Sequence, residues 1–128
     1  GAFPSWLMPI LWKAKQPYNV NVAASVAAVA ALEDVDYLQK VVVQLVNERK
    51  RFLDALTSIS WLDPYPSNAN FVLCRVIGRD AAKLKVDLAS EHGIFIRYFN
   101  KPGLDDHVRI SVGTSEQVDI LLEKLKSM

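Results

Sequence analysis

The hydrophobic pattern from residue 34 onward switches repeatedly between helical and strand-like periods. Apolar side chains recur at steps of three and four in three segments, which predicts helices over 34–58, 80–91 and 115–126. Nearly continuous apolar runs predict strands over 71–77, 94–99 and 107–112. This order predicts an α+β fold in which helices cover one face of a small, mostly antiparallel sheet.

The long helix predicted over 34–58 carries an apolar stripe that only Arg49 interrupts. The stripe fits either a coiled-coil seam or the cover of a sheet. A span of about three heptads is short for a coiled coil, so the cover of a sheet is the favoured interpretation.

The first 33 residues are strongly apolar without an amphipathic pattern. Large apolar side chains crowd the segment from Phe3 to Trp12, and small ones fill a predicted helix over 21–32 that Asn21 caps. A helix that is apolar on every side is buried on every side, so this helix implies a neighbour beyond the chain. The segment before it either folds back on the domain's own core or crosses to another domain or subunit.

The composition excludes several classes of function. The chain has 128 residues, enough for one domain, and its net charge is +1. A nearly neutral chain has no electrostatic footprint for nucleic acid. One cysteine and two histidines exclude a disulfide scaffold and a closed zinc site, so no metal site is predicted. The longest nearly apolar run, 22–32, is shorter than the roughly 20 residues of a membrane helix, so no membrane contact is predicted.

Two arginines are the strongest candidates for chemistry. Arg97 and Arg109 each lie in a predicted strand, and pairing of these strands as a hairpin would bring both side chains to one end of the sheet. Guanidinium groups are planar, permanently charged donors, and two that converge would bind a doubly charged anion. The alternative is that each is an ordinary surface or ion-paired arginine.

The remaining polar candidates are weaker. We expect His92 to be solvated at a helix end, just before Gly93, and His107 to lie in an exposed turn. Cys74 alternates into a strand and is expected to pack in the core. No phosphate-binding loop or nucleophile motif is present in the sequence.

Several short motifs, taken together, resemble a known family. They are KQPYNVN at 15–21, YPSNANFVL at 65–73, GIFIR at 93–97 and VRISVGTSEQ at 108–117. This ordered set resembles the C-terminal part of the histidinol-phosphate aminotransferases. The resemblance covers essentially the whole chain, and the sequences of the motifs look like those of the plant forms. That family belongs to the fold-type I transaminases, which depend on pyridoxal 5'-phosphate.

The resemblance implies roles for a few residues. Arg109 matches the arginine that faces the substrate's anionic groups, and Arg97 matches a second arginine that helps to hold the substrate phosphate. Asn70 matches a position near the active-site cleft. Tyr18 and Asn19 match the segment that connects the large domain to the small one. All five are therefore expected to serve substrate binding, and no catalytic or cofactor-binding residue is assigned in this chain.

The resemblance also implies where the cofactor chemistry lies. In this family the Schiff-base lysine belongs to a large domain that precedes the residues matched here. Lys13 and Lys15 do not stand in that context. We therefore expect residues 1–33 to connect from the large domain, residues 34–128 to form the C-terminal small domain, and the chain to be a fragment that is inactive by itself.

The activity implied for the complete enzyme is amino transfer between glutamate or 2-oxoglutarate and imidazole-acetol phosphate or histidinol phosphate, in histidine biosynthesis. A homodimer is implied, as is an intracellular soluble location, namely the plastid stroma in a plant and otherwise the cytoplasm. The alternatives are another fold-type I aminotransferase, a phospho-amino-acid decarboxylase, and a non-catalytic module that binds a small anion.

Overall fold

The computed structural model describes residues 2–16 and 19–128, and the chain forms two compact units that meet in sequence at Leu38 and Gln39. The helices are α1 (Met8–Ala14), α2 (Val22–Glu33), α3 (Val35–Leu56), α4 (Ala81–His92) and α5 (Ser115–Ser127). The strands are β1 (Leu62–Pro64), β2 (Phe71–Val76), β3 (Arg97–Tyr98) and β4 (His107–Ser111). The division between the units falls within α3, and the domain boundary predicted between residues 33 and 34 stays a prediction.

The strands of the second unit form one antiparallel sheet in the order β1-β2-β4-β3. In the central pair Phe71 lies opposite Ser111 and Leu73 lies opposite Arg109, while β3 adds Arg97 on the other side of Arg109. Residues that lie directly opposite each other point to the same face of a sheet. The register therefore decides which side chains share a face.

One face of the sheet carries the core. The buried apolar strand residues alternate along the chain, and they are Leu62, Val72, Cys74, Val76, Val108 and Ile110. The helix residues buried in the same cluster are Phe52, Leu56, Ala81, Leu84, Leu88, Val118, Leu121, Leu122 and Leu125. The opposite face, here called the open face, includes the exposed side chains of Asp63, Arg75, Arg97 and Arg109. The α+β fold with helices on one face of an antiparallel sheet is confirmed.

Local capping signals explain where the helices of the second unit begin and end. The Asp80 carboxylate accepts the N–H groups of residues 82 and 83 at the start of α4, and Gly93 ends this helix with a φ of 66°. Thr114 and Gln117 form the predicted capping box of α5, with both reciprocal bonds present. These caps confirm the predicted boundaries to within about two residues.

The first unit is built quite differently. The Asn21 side chain caps α2 by accepting the Ala24 N–H at 2.7 Å, as predicted. Neither α1 nor α2 has a buried residue, and Trp6 and Trp12 are 71% and 62% exposed. Among the residues described here, no helix is both long and apolar enough to cross a membrane.

Three elements differ from the prediction. Helix α1 is not among the predicted elements, and Pro9 lies in its first helical turn, where proline is tolerated. Strand β1 is not among them either, and its Pro64 is acceptable because β1 is an edge strand. The strand predicted over 94–99 shrinks to β3 because the Ile94 N–H completes the end of α4 by bonding to Leu88 O at 2.9 Å.

The stripe predicted along the long helix is buried only in its second half. Phe52 and Leu56 are fully buried under the sheet, which confirms the sheet-covering interpretation for that half. Leu38 and Val42 are about half exposed. Leu45 is intermediate, more buried than Leu38 and Val42 but outside the core. The apolar period therefore extends further along α3 than the core of the second unit does.

Candidate functional site

The two candidate arginines lie side by side on the open face. Arg97 in β3 is the direct register partner of Arg109 in β4, and both side chains are exposed. The antiparallel hairpin expected from the sequence is present, and it orients both guanidinium groups to the same side. The neighbouring positions on this part of the face are Phe71 and Leu73 in β2, Ser111 in β4 and Phe99 after β3.

Aromatic rings hold these guanidinium groups, and no carboxylate does so. Cζ of Arg109 lies 5.1 Å from the ring centre of Phe71, and Cζ of Arg97 lies 5.8 Å from that of Phe99. Within residues 2–16 and 19–128, neither arginine forms an ion pair. A cation–π contact orients a guanidinium group without neutralising it, so its N–H donors stay available to an anion.

The other predicted site residues are less closely associated with this pair. Asn70 is exposed and immediately precedes Phe71, and its backbone O accepts the Val112 N–H at 2.9 Å. It thus lies at the same end of β2 as the ring beneath Arg109. Asn19 is an exposed residue of the first unit, which the structure does not relate to the arginines. Tyr18 lies outside the described residues.

A second polar group on the open face was not predicted. The Tyr65 ring stacks on His107 with centroids 5.6 Å apart, and Tyr65 Oη lies 3.1 Å from His107 Nε2. Asp106 Oδ1 lies 2.6 Å from His107 Nδ1 without the alignment of a hydrogen bond, and Asp106 Oδ2 accepts from Arg75 Nε at 2.6 Å. The hydrogen bond from Arg75 lowers the pKa of the Asp106 carboxyl.

The prediction that His107 lies in an exposed turn is wrong. His107 is the first residue of β4 and is only 7% exposed, because the stacked Tyr65 ring covers it. The adjacent acidic residues, Asp105 and Asp106, suggested solvent, whereas the covering residue comes from 42 positions earlier in the chain. A period-two pattern through residues 107, 109 and 111 was the available signal, because it places His107 on the same face as Arg109.

Cys74 and His92 are located as the sequence predicted. Cys74 is buried in β2 on the core face, and burial raises the pKa of its thiol to about 12. A thiol with such a pKa stays protonated at neutral pH and is a poor nucleophile. His92 is the exposed last residue of α4. Neither residue contributes to the open face.

The residues described here suit the anionic part of a substrate better than the aldehyde of pyridoxal 5'-phosphate. A lysine that holds such an aldehyde has to be enclosed, whereas Lys13 and Lys15 are exposed. The least exposed described lysine, Lys124, pairs with Glu123 at 2.8 Å on the outside of α5. No step of cofactor chemistry can be assigned to these side chains.

Comparison with known proteins shows the family to which this chain is similar. The family model "Aminotransferase class I and II" matches residues 2–125. The chain is 52% identical over 127 residues to the chloroplastic histidinol-phosphate aminotransferase of Nicotiana tabacum, covering 98% of this chain and 30% of that protein. The chain thus spans about a third of the length of the curated relatives it matches.

Solved structures agree with this assignment. The histidinol-phosphate aminotransferase of Clostridium acetobutylicum superimposes with a TM-score of 0.80 at 36% identity, covering 90% of this chain and 35% of that one. The Sinorhizobium meliloti histidinol-phosphate aminotransferase, solved in complex with pyridoxal-5'-phosphate, gives 0.77 at 32% identity, covering 92% and 32%. Matched in sequence along nearly its whole length and in fold, this chain belongs to the class I and II aminotransferase family.

Proposed function

We propose that this chain is the substrate-anion-binding part of a pyridoxal-phosphate-dependent histidinol-phosphate aminotransferase. The complete enzyme transfers an amino group between glutamate or 2-oxoglutarate and imidazole-acetol phosphate or histidinol phosphate. The share of this chain is to bind the substrate phosphate with Arg97 and Arg109, so that the reacting carbon is held at the cofactor.

The observation that carries the proposal is the register pair of two exposed arginines, neither of which pairs with a carboxylate of the described residues. A phosphate dianion offers several oxygens, and two guanidinium groups on one face can each donate to different ones. Both groups are permanently charged, so the site keeps its positive charge at every physiological pH.

The cofactor and the assembly belong to the proposal as well. Pyridoxal 5'-phosphate, when bound, supplies the electron sink for amino transfer, and its lysine comes from outside the residues described here. The chain alone therefore performs no transamination. We further propose a homodimer for the complete enzyme, and a plastid stromal location if the source is a plant, since the tobacco relative is named chloroplastic; otherwise the location is the cytoplasm.

The test uses the complete protein that carries this chain. Purified enzyme is incubated with histidinol phosphate and 2-oxoglutarate, and glutamate formation is followed by a coupled assay. Unphosphorylated histidinol is the matched control, and we expect kcat/KM to fall by about 100-fold or more without the phosphate. Release of CO2 from a phospho-amino acid without glutamate formation would instead identify a decarboxylase. Anion binding without turnover would identify a binding module.

A further inference from the structure

Arg49 occupies an unusual place for an arginine. It is only partly exposed and interrupts the apolar stripe of α3, three positions before the core residue Phe52. Its Nη1 donates to Ala69 O at 3.1 Å, across 20 positions of sequence. Removing a guanidinium group from water costs free energy unless the group is hydrogen-bonded. The bond to Ala69 O offsets part of this cost, and it also ties Arg49 to a distant part of the chain.

The carbonyl that Arg49 binds belongs to the loop that leads into the anion site. Ser67 Oγ accepts the Ala69 N–H at 3.1 Å and donates to Phe71 O at 2.5 Å. The peptide groups on both sides of Ala69 are therefore fixed, one by Ser67 and the other by Arg49. The next residue is Asn70, and the one after it is Phe71, whose ring lies under Arg109.

We infer that Arg49 is a positioning residue for substrate binding, which holds the loop of residues 67–70 so that Asn70 and Phe71 keep their place beside Arg109. The inference rests on the proposed function of the open face. Arg49 acts through the backbone of Ala69, and Ser67 closes the same loop from the other side. Loss of either bond leaves both guanidinium groups of the site present but lets the ring beneath Arg109 move.

The test compares Arg49→Met with a matched control in the complete enzyme. Arg79→Met removes the same kind of bond elsewhere, because Arg79 Nη1 donates to Met128 O at 2.8 Å. We expect Arg49→Met to raise KM for histidinol phosphate about 10-fold and to change kcat less than about 3-fold, since a displaced loop weakens binding without removing a reacting group. Arg79→Met should stay within about 2-fold of the wild type in both constants.

Two further variants separate positioning from a general loss of stability. Only one N–H of Arg49 is used, so Arg49→Lys should restore KM to within about 3-fold of the wild type. Ser67→Ala should raise KM in the same direction as Arg49→Met, and it decides the matter if Arg49→Met does not fold. Hydrogen exchange of peptides covering 65–72 should be faster in both Arg49→Met and Ser67→Ala than in Arg79→Met.

The inference and the proposed function fail in different ways. A wild-type enzyme that does not transfer amino groups overturns the proposed function, and the exchange of the 65–72 peptides then still reports on the loop. An active enzyme in which Arg49→Met and Ser67→Ala have the KM and the exchange of Arg79→Met overturns the inference alone. Loss of kcat with unchanged KM in Arg49→Met overturns it too.

Discussion

Two neighbouring groups on the open face handle charge in opposite ways. In the tyrosine–histidine cluster (Tyr65, Arg75, Asp106 and His107), the Arg75 cation is neutralised by Asp106 at 2.6 Å. In the arginine pair (Arg97 and Arg109), the cations contact aromatic rings, and no carboxylate in the described part of the chain pairs with them. The two groups are only two residues apart along β4, so backbone geometry does not explain the contrast.

We infer from this contrast that the absence of a local counter-charge, and not the presence of charge, distinguishes the proposed anion-binding part of this sheet. Like charges directly opposite each other destabilise a sheet, so the arginine pair costs some folding free energy. An anion that binds both groups removes this repulsion, whereas the cluster has already satisfied its charge internally. We therefore expect substitutions in the pair to change activity and substitutions in the cluster to change stability.

The largest effect is expected for Arg109→Ala. This change removes a charge-assisted contact worth roughly 2–4 kcal/mol, which corresponds to about 30- to 1,000-fold in kcat/KM of the complete enzyme. Lysine at this position should restore little, because a point charge does not reproduce the planar fork. Steady-state kinetics with histidinol phosphate measure both variants, and cofactor absorbance should be unchanged in each.

Arg75→Ala is the control for this prediction. Arg75 is also an exposed strand arginine of the open face, but it is already paired with Asp106. We expect its kcat/KM to stay within about 2-fold of the wild type. Equal losses in Arg75→Ala and Arg109→Ala would contradict the contrast between the two groups, since the open face would then respond only to its total charge.

A smaller loss is expected for Arg97→Ala. Arg97 lies on the short edge strand β3, and its Cζ is 5.8 Å from the Phe99 ring centre against 5.1 Å for Arg109 and Phe71, so we expect about a 10- to 100-fold fall in kcat/KM. Because both arginines are proposed to bind one anion, the double variant Arg97→Ala/Arg109→Ala should lose less than the product of the single losses. Strict multiplication of the two effects would mean that the arginines bind separate groups.

The sequence predicted the arginine pair and missed the cluster for a physical reason. Arg97 and Arg109 interrupt apolar strands, and a hairpin of sequence-adjacent strands brings them together without any other information. The contact between Tyr65 and His107 needs β1, an edge strand that the sequence did not predict, since prolines such as Pro64 and Pro66 are typical of turns. Its pairing partner β2 also had to be placed between β1 and β4, and period and propensity alone do not give that order.

The exposed apolar positions of the first unit show a further limit of sequence reasoning. The helix-forming composition of the segment correctly predicted α2 and its Asn21 cap, and it predicted that α2 carries apolar residues on every side. Val22 is 81% exposed in the structure, and the helix has no buried residue. Which residues can be buried is a property of the side chain, but which are buried depends on what packs against them.

A change of about 1 kcal/mol is expected for Tyr65→Phe. This variant loses the hydrogen bond between Tyr65 Oη and His107 Nε2 but keeps the stacked ring, so the free energy of unfolding should fall by about 1 kcal/mol. Urea unfolding measures the fall, and kcat/KM should stay within about 2-fold of the wild type. Tyr98→Phe is the control, because the Tyr98 hydroxyl has no hydrogen bond to any residue that the structure describes. A large kinetic defect in Tyr65→Phe would place the cluster in the binding site.

The smallest effect concerns the ion pair of Asp106 with Arg75 and appears only in acid. The hydrogen bond from Arg75 lowers the pKa of Asp106 in the folded state below its ordinary value of 3.8. A carboxyl with a lowered folded pKa contributes stability that is present above the unfolded-state pKa and is lost as the pH falls through the folded pKa. Asp106→Asn should therefore be less stable than the wild type at about pH 6 and should approach it at about pH 2.

Urea midpoints across this range measure the difference, with Arg75→Ala as the control that removes the cause of the shift. A difference that does not vary with pH would show that Asp106 contributes through packing against His107, and the cluster would then owe its order to the buried ring and not to its charge.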